Sequence, residues 1–215
     1  PAHGRLRRRR RPPRPPPAAL RRLLLRRSAA IPATATFRIQ AARLRGGRVL
    51  GIDPGTLKVG YAVLEASGAR VRVLEAGVIR PRASDRVDLR LGFIHEKLQD
   101  VLERFRPDAV ALEAAFYGKS ASASLRIGEG RGAAMVAAAG RGIPVTSYPP
   151  ARVKKAVTGT GQAGKAQVQA MVRRLLQIEG PLAEDAADAL AGALCHLHRA
   201  AQAVRGPARR TASGT

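Results

Sequence analysis

The sequence predicts an α/β domain built on a mixed five-stranded sheet flanked by helices, and two observations lead to that prediction. Short apolar runs alternate, in the middle of the chain, with longer segments whose apolar residues recur at helical spacing. Three strand-like runs come first, followed by helix, strand, helix, strand and helices, which is an order typical of α/β domains. With 215 residues and 45% hydrophobic content, the chain can bury one sizeable core.

The first three strands are expected to form an antiparallel meander. The runs VLGID at 49–53, YAVLEA at 61–66 and VRVLEAGVI at 71–79 have the short apolar pattern of buried strands. A turn segment, PGTLKVG, follows the first run, and Gly68 marks the turn between the other two. Short turns of this kind join strands that lie side by side in opposite directions.

The later elements alternate between helices and strands. Apolar residues at helical spacing predict a long amphipathic helix that ends before Pro107. The predicted elements are helix 87–105, strand 109–113, helix 120–139, strand 144–148, helix 165–177 and a last helix from about 184 to 199. The Ala-rich second helix is interrupted by Gly128, Gly130 and Gly132, so its small-residue face suits either a core contact or a subunit contact.

Most of the basic charge lies outside the predicted domain. The chain has a formal net charge of +24, yet residues 49–198 hold 20 basic and 15 acidic residues. We therefore expect a disordered Arg/Pro-rich extension at 1–47, a folded domain at 48–198 and a basic flexible tail at 199–215. The extension suits sequence-independent contact with nucleic acid, but the interpretation that we favour is a dispensable extension from a misplaced start site.

Two classes of protein are disfavoured by the sequence. No apolar run approaches the roughly 18 residues that a membrane helix needs, so we expect a cytoplasmic protein without a membrane partner. The single cysteine, Cys195, excludes an intrachain disulfide, and CHLH at 195–198 lacks the second ligand pair of a zinc site.

Four carboxylates carry the chemical prediction. Asp53 ends the run VLGID, Glu113 ends AVALE, and Asp185 and Asp188 lie three residues apart on one face of the last helix. Brought into one cluster, they repel by about 4 kcal/mol per close pair at an effective dielectric near 20, so a cation must offset their charge. Their hard oxygen ligands suit Mg²⁺, and the pattern is typical of a magnesium nuclease.

Each carboxylate also has an ordinary structural explanation. Asp53 could cap the turn that follows it, and Glu113 could form a salt bridge with a nearby arginine. Acids in the first turn of a helix are favoured by the helix dipole, which would account for Asp185 and Asp188. Any one of these explanations could hold singly, but all of them together are improbable.

Two nucleotide-binding patterns compete with the nuclease interpretation. The segment GIDPGT resembles the opening of sugar-kinase and actin-type ATPases, but the chain lacks their length and their second glycine motif. The segment GTGQAGKA at 159–166 fits a phosphate-binding loop except at Ala166, where such a loop needs Ser or Thr. It also lacks a preceding strand, so Lys165 is better explained as a basic residue that faces nucleic-acid phosphate.

Four segments in order resemble the RuvC family of Holliday junction resolvases: LGIDPGTLKVGYAVLE, DAVALEAAFYGKSASASLRIGEGRGAAM, ARVKKAVTGTGQAGKAQVQAMVRRLL and DAADALAGALCHLH. The resemblance covers about residues 48–198. It implies an RNase H-like fold, a bacterial homodimer, and symmetric nicking of four-way DNA junctions in recombination and repair. It also implies work with the RuvA and RuvB branch-migration complex.

The resemblance also assigns residues. It implies two Mg²⁺ ions per active site, with Mn²⁺ as a possible substitute, held by the catalytic acids Asp53, Glu113, Asp185 and Asp188. The implied DNA-binding residues are Phe116, Lys119, Lys154 and Lys165. Phe116 would contact bases near the junction, although a buried core Phe is the alternative, and Lys165 would lie close to the scissile phosphate.

One rival remains within the same fold. A structure-specific nucleic-acid-binding protein could grip branched DNA without cutting it. The presence of all four acids argues against this alternative, because a protein that does not cut has no need for so unfavourable a cluster.

Overall fold

A computed structural model describes residues 36–38, 44–114 and 121–204 of the chain. Its centre is one mixed sheet of six strands in the order β1-β4-β3-β2-β5-β6. The strands are β1 (Thr36–Arg38), β2 (Leu44–Asp53), β3 (Val59–Gly68), β4 (Arg70–Ile79), β5 (Ala109–Glu113) and β6 (Val145–Tyr148). The helices are α1 (Val87–Phe105), α2 (Ala121–Ala139), α3 (Pro150–Thr158), α4 (Lys165–Leu176) and α5 (Glu184–Val204).

The predicted meander and the five predicted strands are all present. β2 pairs with β3 and β3 with β4, both antiparallel, and Gly68 at the β3–β4 turn has a φ of +60°, which favours glycine. β5 then lies parallel to β2, and β6 lies parallel to β5. Helices α1 and α2 make the crossover connections that parallel neighbours require.

The sheet has one strand more than the sequence predicted. The short strand β1 pairs antiparallel with β4, Phe37 opposite Val71, and β2 begins at Leu44, before the predicted start at residue 49. Both segments fall within residues 1–47, which the sequence assigned to the extension. Their residues are rich in Arg and Gly and show no apolar alternation, so periodicity could not detect them. The boundary at residue 48 stays a prediction.

One helix was missed by the sequence prediction. α3 covers only nine residues, of which Val157 alone is buried, so it is too short for its apolar spacing to identify a helix. Its end signals are clearer. Pro150 occupies the first turn, where the missing N–H costs nothing, and Gly159 caps the other end with a φ of +84°.

The two faces of the sheet carry separate layers of core. On one face, α1 and α2 pack on residues such as Leu50 and Leu112. On the other, α3, α4 and α5 pack on residues that include Val49 and Ala111. Because successive side chains of a strand point to opposite faces, odd-numbered residues of β2 and β5 face α5.

No helix within the described ranges is both long and apolar enough to cross a bilayer.

Candidate active site

Asp53 and Glu113 lie at the same edge of the sheet. They are the last residues of β2 and β5, which are parallel neighbours with Ile52 opposite Leu112. Both acids have odd numbers, so both fall on the sheet face that α5 covers. The sequence prediction that these two strand ends meet is therefore confirmed by the register of the sheet.

Two glycines let α5 approach that edge at backbone distance. A Cβ on Gly51 would collide with the main-chain carbonyl of Ala189, and a Cβ on Gly60 would collide with that of Asp185. Gly60 pairs with Asp53 across β2 and β3. The first turns of α5 are thus seated directly beside Asp53, which brings Asp185 to the carboxyl edge of the sheet.

The edge opens into a cavity of about 550 Å³. Asp53, Glu113 and Asp185 line it together, with Lys154 from α3 and Lys58 from the loop after β2. Three of the four predicted acids and one predicted DNA-binding lysine thus share one cleft. Cationic side chains stand beside the acids, as a site for a polyanionic substrate requires.

Asp53 is the electrostatic centre of the cluster. Burial, followed by the negative charges of Glu113, Asp188 and Asp185 in that order, raises its pKa from 3.8 to about 7. Lys165 opposes the shift. All three other predicted acids therefore lie within electrostatic reach of Asp53, although the four are separated by up to 135 positions in the chain.

Asp188 is held by a lysine. Lys165, the first residue of α4, places its Nζ 3.1 Å from Oδ2 of Asp188 and also pairs with Glu184. Burial raises the pKa of Asp188, and the Lys165 bond works against it. Burial lowers the pKa of Lys165, but its bonds to Glu184 and Asp188 outweigh burial, so the net shift is upward. Lys165 thus supplies positive charge to the acid cluster.

The oxygen ligands of the cluster suit a divalent cation, but their arrangement does not form a complete coordination shell. Four carboxylates, one of them with its pKa raised to about 7 by burial and by the other three, form an all-oxygen donor set with excess negative charge. Across the described ranges, however, no three acidic, His or Cys side chains are arranged to hold a metal ion. Three of the acids line one cleft and Asp188 lies within electrostatic reach of Asp53, so the four side chains would have to turn to chelate.

Arg131 ties Glu113 to its surroundings. From α2, its Nη1 donates to the main-chain carbonyl of Glu113 and its Nη2 donates to Oγ of Ser147 at 3.1 Å. The negative charge of Glu113 also acts on the guanidinium, whose pKa is lowered mainly by burial. The alternative explanation of Glu113, a salt bridge with a nearby arginine, is therefore supported only in that Arg131 lies close to this residue. Its hydrogen bond, though, is to the main chain of Glu113.

The loop after β2 is clamped against α2. A Cβ on Gly130 would lie 2.5 Å from the carbonyl oxygen of Gly55, so the helix and the loop touch through their backbones. Gly128 and Gly132, in contrast, have open space around them. The small-residue face of this helix therefore serves a core contact at Gly130 and leaves the other two glycines toward solvent.

Sequence reasoning missed three charged residues of this region: Lys58, Arg131 and Glu184. These charged residues follow no periodic pattern and end no strand, so only their place inside the quoted motifs could have drawn attention to them. Two predicted DNA-binding residues, Phe116 and Lys119, lie outside the described residues, and their roles stay predictions. The segment 159–166 joins α3 to α4 with a helix, not a strand, before it, which argues against a phosphate-binding loop.

Comparison with known proteins agrees with this geometry. A family model described as crossover junction endodeoxyribonuclease RuvC matches residues 49–196. The protein of that name from Saccharophagus degradans is 45% identical over 157 residues, which are 73% of this chain and 91% of the relative. The one from Alkalilimnicola ehrlichii is 44% identical over 153 residues, which are 71% of this chain and 92% of the relative.

Solved structures place the fold in the same group. A structure of Thermus thermophilus RuvC in complex with Holliday junction substrate superimposes with a TM-score of 0.69 at 38% identity, covering 73% of this chain and 96% of that one. The yeast mitochondrial Holliday junction resolvase shares the fold alone, with a TM-score of 0.54 at 16% identity over 77% of this chain and 83% of its own. The predicted RNase H-like fold is therefore confirmed, and this chain belongs to the crossover junction endodeoxyribonuclease RuvC family.

Proposed function

We propose that this protein is an endonuclease that resolves four-way DNA junctions by paired, symmetric, hydrolytic nicks in recombination and repair. The observation that carries the proposal is the environment of Asp53. A half-buried carboxylate at a strand end stands under the influence of Glu113, Asp185 and Asp188 inside an open cleft. A fold has no structural use for four carboxylates gathered at one place, whereas a phosphodiesterase does. The junction-bound Thermus relative supports the choice of substrate.

The reaction depends, in this proposal, on divalent cations held by the four acids, Asp53, Glu113, Asp185 and Asp188. Mg²⁺ suits an all-carboxylate set best, at two ions per site, with Mn²⁺ as a substitute. Held by these acids, such cations would supply Lewis-acid chemistry for hydrolysis by in-line attack of water on phosphorus, with a 5′ phosphate and a 3′ hydroxyl as the products.

The chain's own lysines bind and orient the DNA strand. Lys154 and Lys58 line the cleft, and Lys165 pairs with Asp188 of the acid cluster. Their positive charges would meet the phosphates on either side of the scissile bond and offset the repulsion between DNA and the acids. Lys165, as the lysine paired with an acid of the cluster, is the one best placed to face the scissile phosphate.

Paired nicks require two active sites, which a homodimer provides with the two-fold symmetry of the junction itself. The exposed face of α2 supports a dimer surface there. Leu125, Met135 and Val136 expose 65%, 43% and 63% of their surface, beside the open Gly128 and Gly132. Large apolar side chains exposed along one helix typically mark a protein contact. In a bacterial cytoplasm, RuvA and RuvB would deliver the junction to this dimer.

A synthetic four-way junction tests the proposal directly. We expect symmetric paired nicks with Mg²⁺ and binding without cleavage when a chelator is present. Asp188→Asn should cut at least about 10³-fold more slowly, because one acid of the set is lost, while binding the junction normally. Asp100→Asn, an exposed acid of α1 on the other face of the sheet, is the matched control and should cut at the wild-type rate.

The alternative, a binding protein that does not cleave, predicts the opposite result. A structure-specific binding protein would shift the junction on a native gel with or without Mg²⁺ and leave its strands intact. That result with folded wild-type protein would replace the nuclease by the binding protein.

A further inference from the structure

Lys165 is shared between two carboxylates of one helix. Its Nζ pairs with Asp188 at 3.1 Å and with Glu184, and these two acids lie four residues apart on the same face of α5. Glu184 was assigned no role by the sequence, and unlike Asp188 it is not among the charges that shift the pKa of Asp53. The shared lysine therefore connects the acid cluster to a carboxylate outside it.

The two partners of Lys165 differ in their surroundings. Asp188 exposes 21% of its side chain and faces the other acids, whereas Glu184 exposes 58%. Besides Lys165, the positive charge of Lys58 also acts on Glu184. The lysine thus has an inner partner within the cluster and an outer partner at its rim.

Binding of a cation to Asp188 would change this balance. The cation would neutralise the charge of Asp188 and repel the ammonium group of Lys165, so the ion pair between Lys165 and Asp188 would be weakened. Without a second partner, the lysine would keep Asp188 and compete with the cation. With a second partner, Lys165 can release Asp188 and still remain in place.

We propose that Glu184 is a positioning residue: it retains Lys165 beside the acid cluster when a divalent cation takes Asp188. The lysine then stays beside the cleft, available to substrate phosphate, and no longer opposes cation binding. This inference rests on the proposed function in one respect, the use of Asp188 as a cation ligand.

A double-mutant cycle on cation affinity tests the inference without DNA or catalysis. Mn²⁺ alone is the probe, and loss of the free-ion signal in electron paramagnetic resonance gives the bound fraction. The variants are Glu184→Gln, Lys165→Met and the double substitution, with Glu179→Gln as control because Glu179 is an exposed acid outside this pair. Melting curves confirm that each variant folds, and Glu184→Ala serves as a second variant at the same position.

We expect Glu184→Gln to weaken Mn²⁺ binding about threefold, the scale of an exposed ion pair, and Lys165→Met to strengthen it. In the Lys165→Met background, Glu184→Gln should have little further effect, because its target is gone. Glu179→Gln should leave the affinity unchanged.

Two results would overturn the inference. If Glu184→Gln weakens binding equally with and without Lys165, Glu184 acts on the cation by its own charge. If Glu184→Gln leaves affinity unchanged in the wild-type background, it has no part in cation binding. Both results leave the nuclease proposal standing. Wild-type protein that binds no Mn²⁺ under conditions where junction cleavage also fails would instead remove the proposed function, and the inference with it.

Discussion

The main-chain carbonyl of Asp185 lies against Gly60 so closely that no Cβ could be accommodated between them. Gly60 pairs with Asp53, so this one contact fixes the distance between the sheet edge and the helix that carries two of the four acids. The position of Asp185 and Asp188 relative to Asp53 thus depends on residue 60 being a glycine, which has no side chain.

Gly60→Ala is expected to displace α5 from the sheet. The added methyl group meets backbone, which cannot rotate away, so we expect a loss of about 1–3 kcal/mol in the free energy of unfolding. Cleavage should fall by more than the folded fraction does, because the acids separate. Urea denaturation and cleavage assays on the same preparation measure both effects.

Gly192→Ala is the matched control for that experiment. Gly192 lies within α5, and a Cβ there would meet nothing within 4 Å. Replacing glycine by alanine inside a helix should stabilise it by about 0.5–1 kcal/mol and leave cleavage unchanged. Equal effects of the two alanines would show that the contact at Gly60 does not position the acids.

The sequence predicted the sheet better than the approach of the helices to it. Both ends of β5, Ala109–Glu113, were predicted correctly, because a short apolar run that follows Pro107 and Asp108 and ends in an acid is typical of a buried strand. In a linear pattern, in contrast, Gly51 looks like an ordinary strand residue and Gly60 like the last residue of a turn segment. Their effect depends on which helix lies above them, which is tertiary information.

The acids of the site were predictable, and most of their charged neighbours were not. Asp53 and Glu113 stand out because an ionisable group that ends a buried strand is costly. Lys58 and Glu184 are surface charges in the sequence, and their relation to the cluster appears only once the β2–β3 loop, α4 and α5 are assembled. Lys165 was predicted as a phosphate contact, and its pairing with Asp188 could not be inferred from spacing.

The raised pKa of Asp53 makes the metal-free protein sensitive to pH. A carboxyl whose pKa rises from 3.8 in the unfolded chain to about 7 in the fold binds its proton more tightly when folded. Its contribution therefore favours the fold at low pH and is lost as the pH rises from about 4 through 7, by at most roughly 4 kcal/mol. In the presence of a chelator, the Asp53→Asn variant should be more stable than the wild-type protein at pH 8.

The difference in stability between wild type and Asp53→Asn isolates this group from the other carboxylates. Urea denaturation at intervals between pH 4.5 and 8 should show that difference growing with pH. Mg²⁺ should reduce it at pH 8, since the cation compensates the ionised acid. A difference that does not vary with pH would mean that Asp53 ionises normally in the folded protein.

Lys154 should contribute one phosphate contact to junction binding. It lines the cleft from α3, whereas the adjacent Lys155 is exposed on the same helix and does not line it. Lys154→Gln should weaken binding and reduce the slope of log affinity against log salt by about one. Lys155→Gln, the matched loss of charge, should change the slope less. Equal changes would assign both lysines to a general surface attraction.

The exposed face of α2 should hold the dimer together. Val136 exposes 63% of its surface, and a glutamate there would place one charge from each subunit in an apolar contact, where an unpaired charge is costly. We expect Val136→Glu to sediment as a monomer, to keep its melting temperature, and to lose paired nicking more than single nicking. Ala170→Glu, at an exposed position of α4 on the opposite face of the sheet, should remain a dimer that cuts both strands. If the Val136→Glu protein is still dimeric, the subunit contact lies on another surface. If the wild-type protein is monomeric at the concentrations used for cleavage, the two nicks are made independently.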